Sequence, residues 1–406
     1  MTSAASPYTI VGAGLAGSII AYRLLQQGKY VRIFDQGSKE NRANQQIPWG
    51  WYRRISLQCT AKLKTTNFNL NHIPFVDKIK LTKGPMLIST QSLSAVNGWK
   101  YWLKNNQYSD AKILSPPDAH KMFNISRDFL GHGSLFVCDS RDMLIDFREL
   151  NYNLWDYLKN NKQCEFVENA QLQQIIYDKN NVKNRITHLL FNGGMMVEID
   201  KAIVAIGNQT NIFKECAPTI NLKLPYAYVK YKNNPEQQYI SLWNRNSTIN
   251  CFSDGTFKIA CGNQSIVEIK SLIASLKHLP YFLTSFMNGH SNIHYNKDGS
   301  KLIKNALDEL KLLGYAEPNE ISIKECTIDL TPTLCPHVFF LNNLLIVNGF
   351  SGSGSILLEL WIAQSLINSL NKLELDEQLK DFNPNPSLLY NLYPPRNKIT
   401  GISALK

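Results

Sequence analysis

Apolar residues open the chain in a pattern that changes period twice. Tyr8, Ile10 and Val11 read as a short buried strand. From Ser18 to Gln27, the residues Ile19, Ile20, Leu24 and Leu25 fall at helical spacing, and Gly28 closes that helix. Tyr30 to Phe34 is a second strand ending at Asp35. Between the first strand and the helix stand Gly12, Gly14 and Gly17, spaced G-x-G-x-x-G.

Further along, Phe75 to Ser94 is strand-rich, with a turn at Lys83, Gly84 and Pro85. Leu114 to Phe123 contains a proline-started helix, and Ser134 to Cys138 reads as a short strand. Ile145 to Leu158 carries Phe147, Leu150, Leu154 and Leu158 on one helical face, with Asp146 placed to cap it. Cys164 to Val167 and Gln171 to Tyr177 are strands. Arg185 to Phe191 and Met195 to Ile199 flank Gly193 and Gly194 as a hairpin. Lys201 to Thr210 contains a buried strand that ends in Gly207.

From about Ala217 the period is two. Lys223–Tyr231, Gln238–Trp243, Ser247–Phe252 and Thr256–Cys261 alternate as strands, one pair turning at Asp254 and Gly255. Ser265 to Leu276 and Gly299 to Leu313 have helical spacing. Leu344 to Val347 is a buried strand, followed by Gly349, Phe350, Ser351, Gly352, Ser353 and Gly354, then a helix to Leu370. This is a second glycine-rich strand-to-helix turn.

Length and composition narrow the class. A chain of 406 residues exceeds one simple core, so two domains are expected. The expected fold class is α/β: a Rossmann-like dinucleotide-binding domain plus an antiparallel-sheet α+β substrate domain. The first is read as discontinuous, over 1–80, 140–215 and 325–406. The second, a cap, is read over 81–139 and 216–324. Hydrophobic content of 44% and charged content of 18% fit a globular protein. Near Met1 no basic run precedes an apolar stretch and cleavage site, and no apolar run is long enough to span a bilayer. A cytoplasmic location without membrane insertion is expected. The eight cysteines include no C-x-x-C pair, so neither a zinc site nor a disulfide framework is indicated. The net charge of +11 leaves nucleic acid open as a partner. The lysines are dispersed, however, and no nucleic-acid motif is present, so a solvated basic surface is the favoured reading.

The chemistry is concentrated in the opening stretch. Gly12 permits the tight turn, Gly14 lets a pyrophosphate approach the backbone, and Gly17 allows close packing of helix on strand. Leu15 and Ala16 contribute backbone N–H groups at the positive end of the helix. Asp35, with Gln36 beside it, stands where a ribose hydroxyl is bound. By itself this stretch does not choose between NAD and FAD.

These pieces together resemble the FAD-dependent amine and amino-acid oxidoreductases, the family of D-amino-acid oxidase, glycine oxidase and monomeric sarcosine oxidase. The likeness runs over nearly the whole chain in the family's order. It implies FAD as cofactor, a backbone contact to adenine at Leu172, and an apolar strand ending at Gly207. Gly349 to Gly354 resembles the family's late turn beside the flavin ring. Gly50, Trp51, Tyr52 and Arg53 resemble a Gly-x-x-Arg segment whose arginine lies near that ring. Cys326 with Thr331 and Pro332 resembles the Cys-x-x-x-x-Thr-Pro of the branch that bonds its flavin covalently. Lys258 falls near a lysine that helps activate oxygen.

The resemblance implies oxidation of a CH–NH bond, with hydride transfer to flavin N5 and O2 or another acceptor taking the electrons. Arg53 and Lys258 would then stabilise negative charge on the reduced ring. The carboxylate-binding positions depart from the family, with Ile356, Ile328, Thr333 and Ser56 where charged residues are usual. A secondary or substituted amine therefore fits better than a small free amino acid. Two other readings stay open: FAD-dependent modification of a macromolecule such as tRNA, and a flavin-binding protein without turnover.

Overall fold

The computed structural model describes residues 7–37, 49–51, 73–90, 111–123, 135–139, 143–178, 185–207, 220–231, 241–243, 248–252, 255–260, 266–267, 304, 307–308, 311, 317–330, 336–349 and 356–382. Its centre is a six-stranded sheet. The spatial order is His337–Leu341, Leu344–Asn348, Ala202–Val204, Tyr8–Val11, Val31–Phe34 and Cys164–Val167. Every neighbouring pair is parallel except the first, which is an antiparallel hairpin. The chain starts in the middle strand, Tyr8–Val11, and later strands add on both sides of it. The order therefore reverses at that strand, which creates a crevice beyond its carboxyl end.

Both faces of this sheet are covered, which is why its strands read as nearly continuous apolar runs. On one face, Ile10, Ile33, Ile203, Leu345 and Val347 pack with the helices Leu15–Gln26, Phe147–Asn160 and Ile356–Lys372. On the other, Val11, Phe34, Val204, Leu344 and Ile346 meet Leu189 and Phe191 of a three-stranded meander, Leu172–Tyr177, Ile186–Phe191 and Met196–Glu198. Phe34 and Phe191 stack across that layer with centroids 4.6 Å apart.

Asn343 ties the two layers together. It is buried, and its Oδ1 accepts from the backbone N–H of Ile186 at 3.0 Å. Its Nδ2 donates to the carbonyls of Ile186 at 2.9 Å and Asp200 at 2.6 Å. One side chain thus takes both backbone groups of Ile186, as a neighbouring strand would.

The second large element is a nine-stranded sheet. The path runs Ile266–Val267, Ile220–Lys230, Thr256–Ala260, Thr248–Cys251, Ser241–Trp243, Met86–Thr90, Leu135–Asp139 and Ala111–Leu114, with Glu320–Leu330 paired on Ile220–Lys230. A smaller sheet joins Trp49–Trp51, Met143–Asp146 and Leu81–Lys83. Lys83 pairs with Met143 in the small sheet, and Met86 pairs with Asp139 in the large one. The chain therefore passes from one sheet into the other at Gly84 and Pro85, with an antiparallel pair on each side of the crossing. Among the described residues no helix is long and apolar enough to cross a membrane.

The observed elements follow the sequence pattern with three corrections. The first helix begins at Leu15 rather than Ser18. Gly14 is its N-cap, and Gly17 sits within the first turn despite its poor helix propensity, because packing demands the missing side chain there. The segment expected to be helical from Ser265 instead opens with the strand Ile266–Val267, paired with Leu222 and Lys223. Two β-branched residues beside an open sheet edge favour pairing over helix; residues 268–276 lie outside the described set. Ile145, expected inside a helix, lies in the strand Met143–Asp146 instead, and the helix starts at Phe147.

Candidate dinucleotide site

The glycine turn is built by backbone contacts that a methyl group would break. A Cβ on Gly12, whose φ is +96°, would meet the Ala205 carbonyl oxygen at 2.3 Å. A Cβ on Gly17 would meet the Gly12 carbonyl oxygen at 2.0 Å. Gly14 differs: among the described residues nothing lies within 4 Å of its hypothetical Cβ. Two glycines therefore serve internal packing, and the third opens on space at the N-terminus of Leu15–Gln26. No side chain caps that terminus, and its first turn holds no acidic residue. The first-turn N–H groups of such a helix lack intrahelical partners and favour an anion.

Ala13 sits between those glycines and is held on both sides. Its N–H donates to Asp35 Oδ2 at 2.6 Å. Its carbonyl accepts from Trp155 Nε1 at 2.8 Å and from Ser18 Oγ at 3.0 Å. Trp155 belongs to the helix Phe147–Asn160, whose N-cap Asp146 accepts from the N–H groups of Arg148 and Glu149 at 2.9 and 3.0 Å. Burial pushes the Asp146 carboxyl above its ordinary range, opposed by those two bonds and by Arg148. Phe166 meets the Trp155 ring edge-on at 5.1 Å, and Lys159 Nζ lies over both rings. The tryptophan is thus fixed before it reaches the turn.

We expect Trp155→Phe to keep the fold, cost about 1 kcal/mol for the lost hydrogen bond, and loosen the turn. Thermal melts and a dinucleotide titration check this. Unchanged affinity would show that the turn is rigid without the indole.

Asp35 follows the strand Val31–Phe34 and is buried, with each carboxylate oxygen engaged by backbone: Oδ2 by Ala13 and Oδ1 by the Gly37 N–H at 2.8 Å. The Asp35 carbonyl accepts from Ala170 N–H at 2.8 Å, and its N–H donates to Val167. Asn169, at φ +59°, packs so tightly on Gly37 that a Cβ there would meet its Oδ1 at 2.5 Å. Leu172 follows three residues after Asn169, buried at the start of the meander.

Other expected site residues are distributed as follows. Gly207, at φ +57°, opens on space beyond the strand Ala202–Val204. Gly349, at φ +75°, starts the late turn, whereas Phe350 to Gly354 lie outside the described residues. Gly50 and Trp51 are in a strand of the small sheet; Arg53 is outside the described set. Cys326 is in Glu320–Leu330, opposite Leu224 in the large antiparallel sheet. Lys258 is buried in that same sheet, opposite Tyr228 and Asn250, with Nζ 5.9 Å from the Tyr226 ring centroid.

The described thiols are poor nucleophiles. Burial and the neighbouring Glu165 push Cys164 up to about 11, and burial alone pushes Cys251 well above the ordinary thiol range.

Trp155, Ala170 and Asn343 were not found from the sequence. An indole on a helix face and asparagines in a chain rich in them carry no local signature of these roles.

The fold and the turn define an α/β protein with a Rossmann-type dinucleotide site. The profile of the NAD(P)-binding Rossmann-like domain matches residues 10–39, the strand–turn–helix–strand unit itself. No curated protein matches the sequence significantly. Solved structures match over nearly full length. L-amino acid deaminase from Proteus myxofaciens superposes with a TM-score of 0.68 at 13% identity, covering 94% of this chain and 92% of that one. Fructosyl amine:oxygen oxidoreductase (Amadoriase I) from Aspergillus fumigatus gives 0.67 at 12%, covering 98% and 94%. Glycine oxidase from Bacillus cereus gives 0.65 at 13%, covering 92% and 97%. The resemblance read from the motifs therefore holds for the fold as a whole: this chain has the two-part architecture of amine- and amino-acid-oxidising enzymes.

Proposed function

We propose that this protein is an FAD-dependent oxidoreductase that oxidises a CH–NH bond of a secondary or substituted amine. The observation that carries the reading is the open backbone at Gly14, set beside an uncapped helix terminus and the buried carboxylate of Asp35, within a fold shared end to end with amine oxidases. When bound, FAD supplies the hydride acceptor at flavin N5.

In this reading Gly12, Gly14, Leu15, Ala16 and Gly17 hold the pyrophosphate, Asp35 and Gln36 the ribose, and Leu172 the adenine edge. Gly207, Gly50, Trp51, Arg53 and the turn from Gly349 to Gly354 surround the flavin. Cys326 is the candidate for a covalent bond to it. Arg53 and Lys258 supply positive charge, Lys258 toward O2 as acceptor. Residues 1–80, 140–215 and 325–406 serve FAD, and 81–139 with 216–324 form the substrate cap. The apolar residues at Ile328 and Ile356 favour a substrate without a free carboxylate at that place.

The test is an anaerobic panel of primary, secondary and glycated amines added to the purified yellow protein. Bleaching of the flavin by a substituted amine is the expected result. A flavin that no amine reduces would sink the catalytic reading and leave a binding protein. The net charge of +11 favours one second reading, an FAD enzyme acting on RNA. Salt-dependent RNA binding, or RNA carried through purification, would select it.

A further inference from the structure

The strand Leu344–Asn348 ends in a residue that does not suit its surroundings. Asn348 is 1% exposed, yet neither its Oδ1 nor its Nδ2 has a hydrogen-bond partner among the described residues. Its strand companions on the same face, Leu344 and Ile346, pack in the apolar layer under the meander. A buried amide without partners costs free energy, so native proteins pair such groups with protein, water or ligand.

Its position points to a ligand. Ile346 is level with Val204, and Val204 is level with Val11. Two residues further on, Asn348 closes its strand at the carboxyl edge of the sheet, the edge at which the glycine turn follows Val11. Two strand spacings, about 10 Å, separate its strand from the strand Tyr8–Val11. Gly349, at φ +75°, turns the chain away immediately after Asn348. Open α/β sheets bind their ligands along this edge, at the strand where the order reverses. His337 lies directly across the ladder, also buried, so two polar side chains stand side by side at a strand end that is otherwise apolar.

We propose that the Asn348 amide is a binding group for the flavin half of the cofactor. This rests on the FAD reading above and adds to it a residue that no motif includes. An amide offers donors and an acceptor together. It therefore suits a group that also does both, a ribityl hydroxyl or the N3–H and carbonyl edge of the ring, better than phosphate oxygens, which only accept.

The experiment compares the full-length wild type with Asn348→Leu and Asn348→Ala, each stripped of flavin and titrated with FAD. Flavin fluorescence gives Kd, and thermal melts are recorded with and without FAD. Removing bonds to a buried ligand should raise Kd about tenfold or more, while the apo protein melts no lower than wild type because an unpaired amide has gone. The FAD-induced rise in Tm should shrink accordingly. Unchanged Kd overturns the assignment. So does a fall in apo Tm equal to the fall in holo Tm, which would mean that the amide holds the fold or a trapped water. If Asn348→Leu does not fold, Asn348→Ala carries the same comparison. A wild type that never binds FAD would instead defeat the flavin reading itself.

Discussion

Gly17→Ala is expected to abolish dinucleotide binding and to cost about 3 kcal/mol or more, beyond the usual range for an added methyl. Its Cβ would stand 2.0 Å from the Gly12 carbonyl oxygen, which is backbone and cannot rotate away. Relief requires moving either the helix Leu15–Gln26 or the turn, and both are pinned. Ile19, Ile20 and Leu24 are buried under the helix, and Ala13 is bonded to Asp35, Trp155 and Ser18. Gly14→Ala is the matched control. Its methyl enters open space, at a φ of −63° that any residue adopts, so urea unfolding of the apo protein should be nearly unchanged. The methyl would stand where a pyrophosphate must approach, and FAD affinity should fall steeply. A Gly14→Ala variant that binds FAD normally would show that the phosphates do not lie there.

Asn343→Ala should lower stability by about 2–4 kcal/mol, read as a reduced urea midpoint with an unchanged slope. The variant leaves both backbone groups of Ile186 without partners in a buried layer. Asn343→Asp should be no better. Its carboxylate could still accept from Ile186 N–H, but it would face the carbonyls of Ile186 and Asp200 where the amide donated. The site at the opposite edge of the sheet should keep its geometry, so residual FAD affinity at low temperature separates this effect from that of Gly17→Ala. A loss below about 0.5 kcal/mol would mean that water replaces the amide easily.

What could be read from the sequence was whatever local physics dictates. The strand, turn, helix, strand and acid from Tyr8 to Asp35 announce themselves because a close backbone approach demands glycine and a buried strand demands apolar runs. Asp146 was legible as an N-cap because a cap is local, and it accepts from Arg148 and Glu149 as expected. The hairpin at Gly193 and Gly194, both at positive φ, was legible for the same reason. The strands Ile220–Lys230 and Glu320–Leu330 pair over eleven positions at a distance of about a hundred residues, and nothing near Glu320 marks it as a partner. Trp155 likewise reaches Ala13 across 142 positions of chain. Ile266 and Val267 show the reverse error: local spacing suggested a helix, and an available sheet edge decided otherwise.

The crossing at Gly84 and Pro85 has a mechanical consequence. A single strand passing between two sheets would act as a pivot, free to twist about its own bonds. Here the crossing is flanked by antiparallel pairs, Lys83–Met143 on one side and Met86–Asp139 on the other. Twisting the chain at Gly84 therefore has to twist paired backbone on either side of it, which should stiffen the crossing against torsion more than against bending.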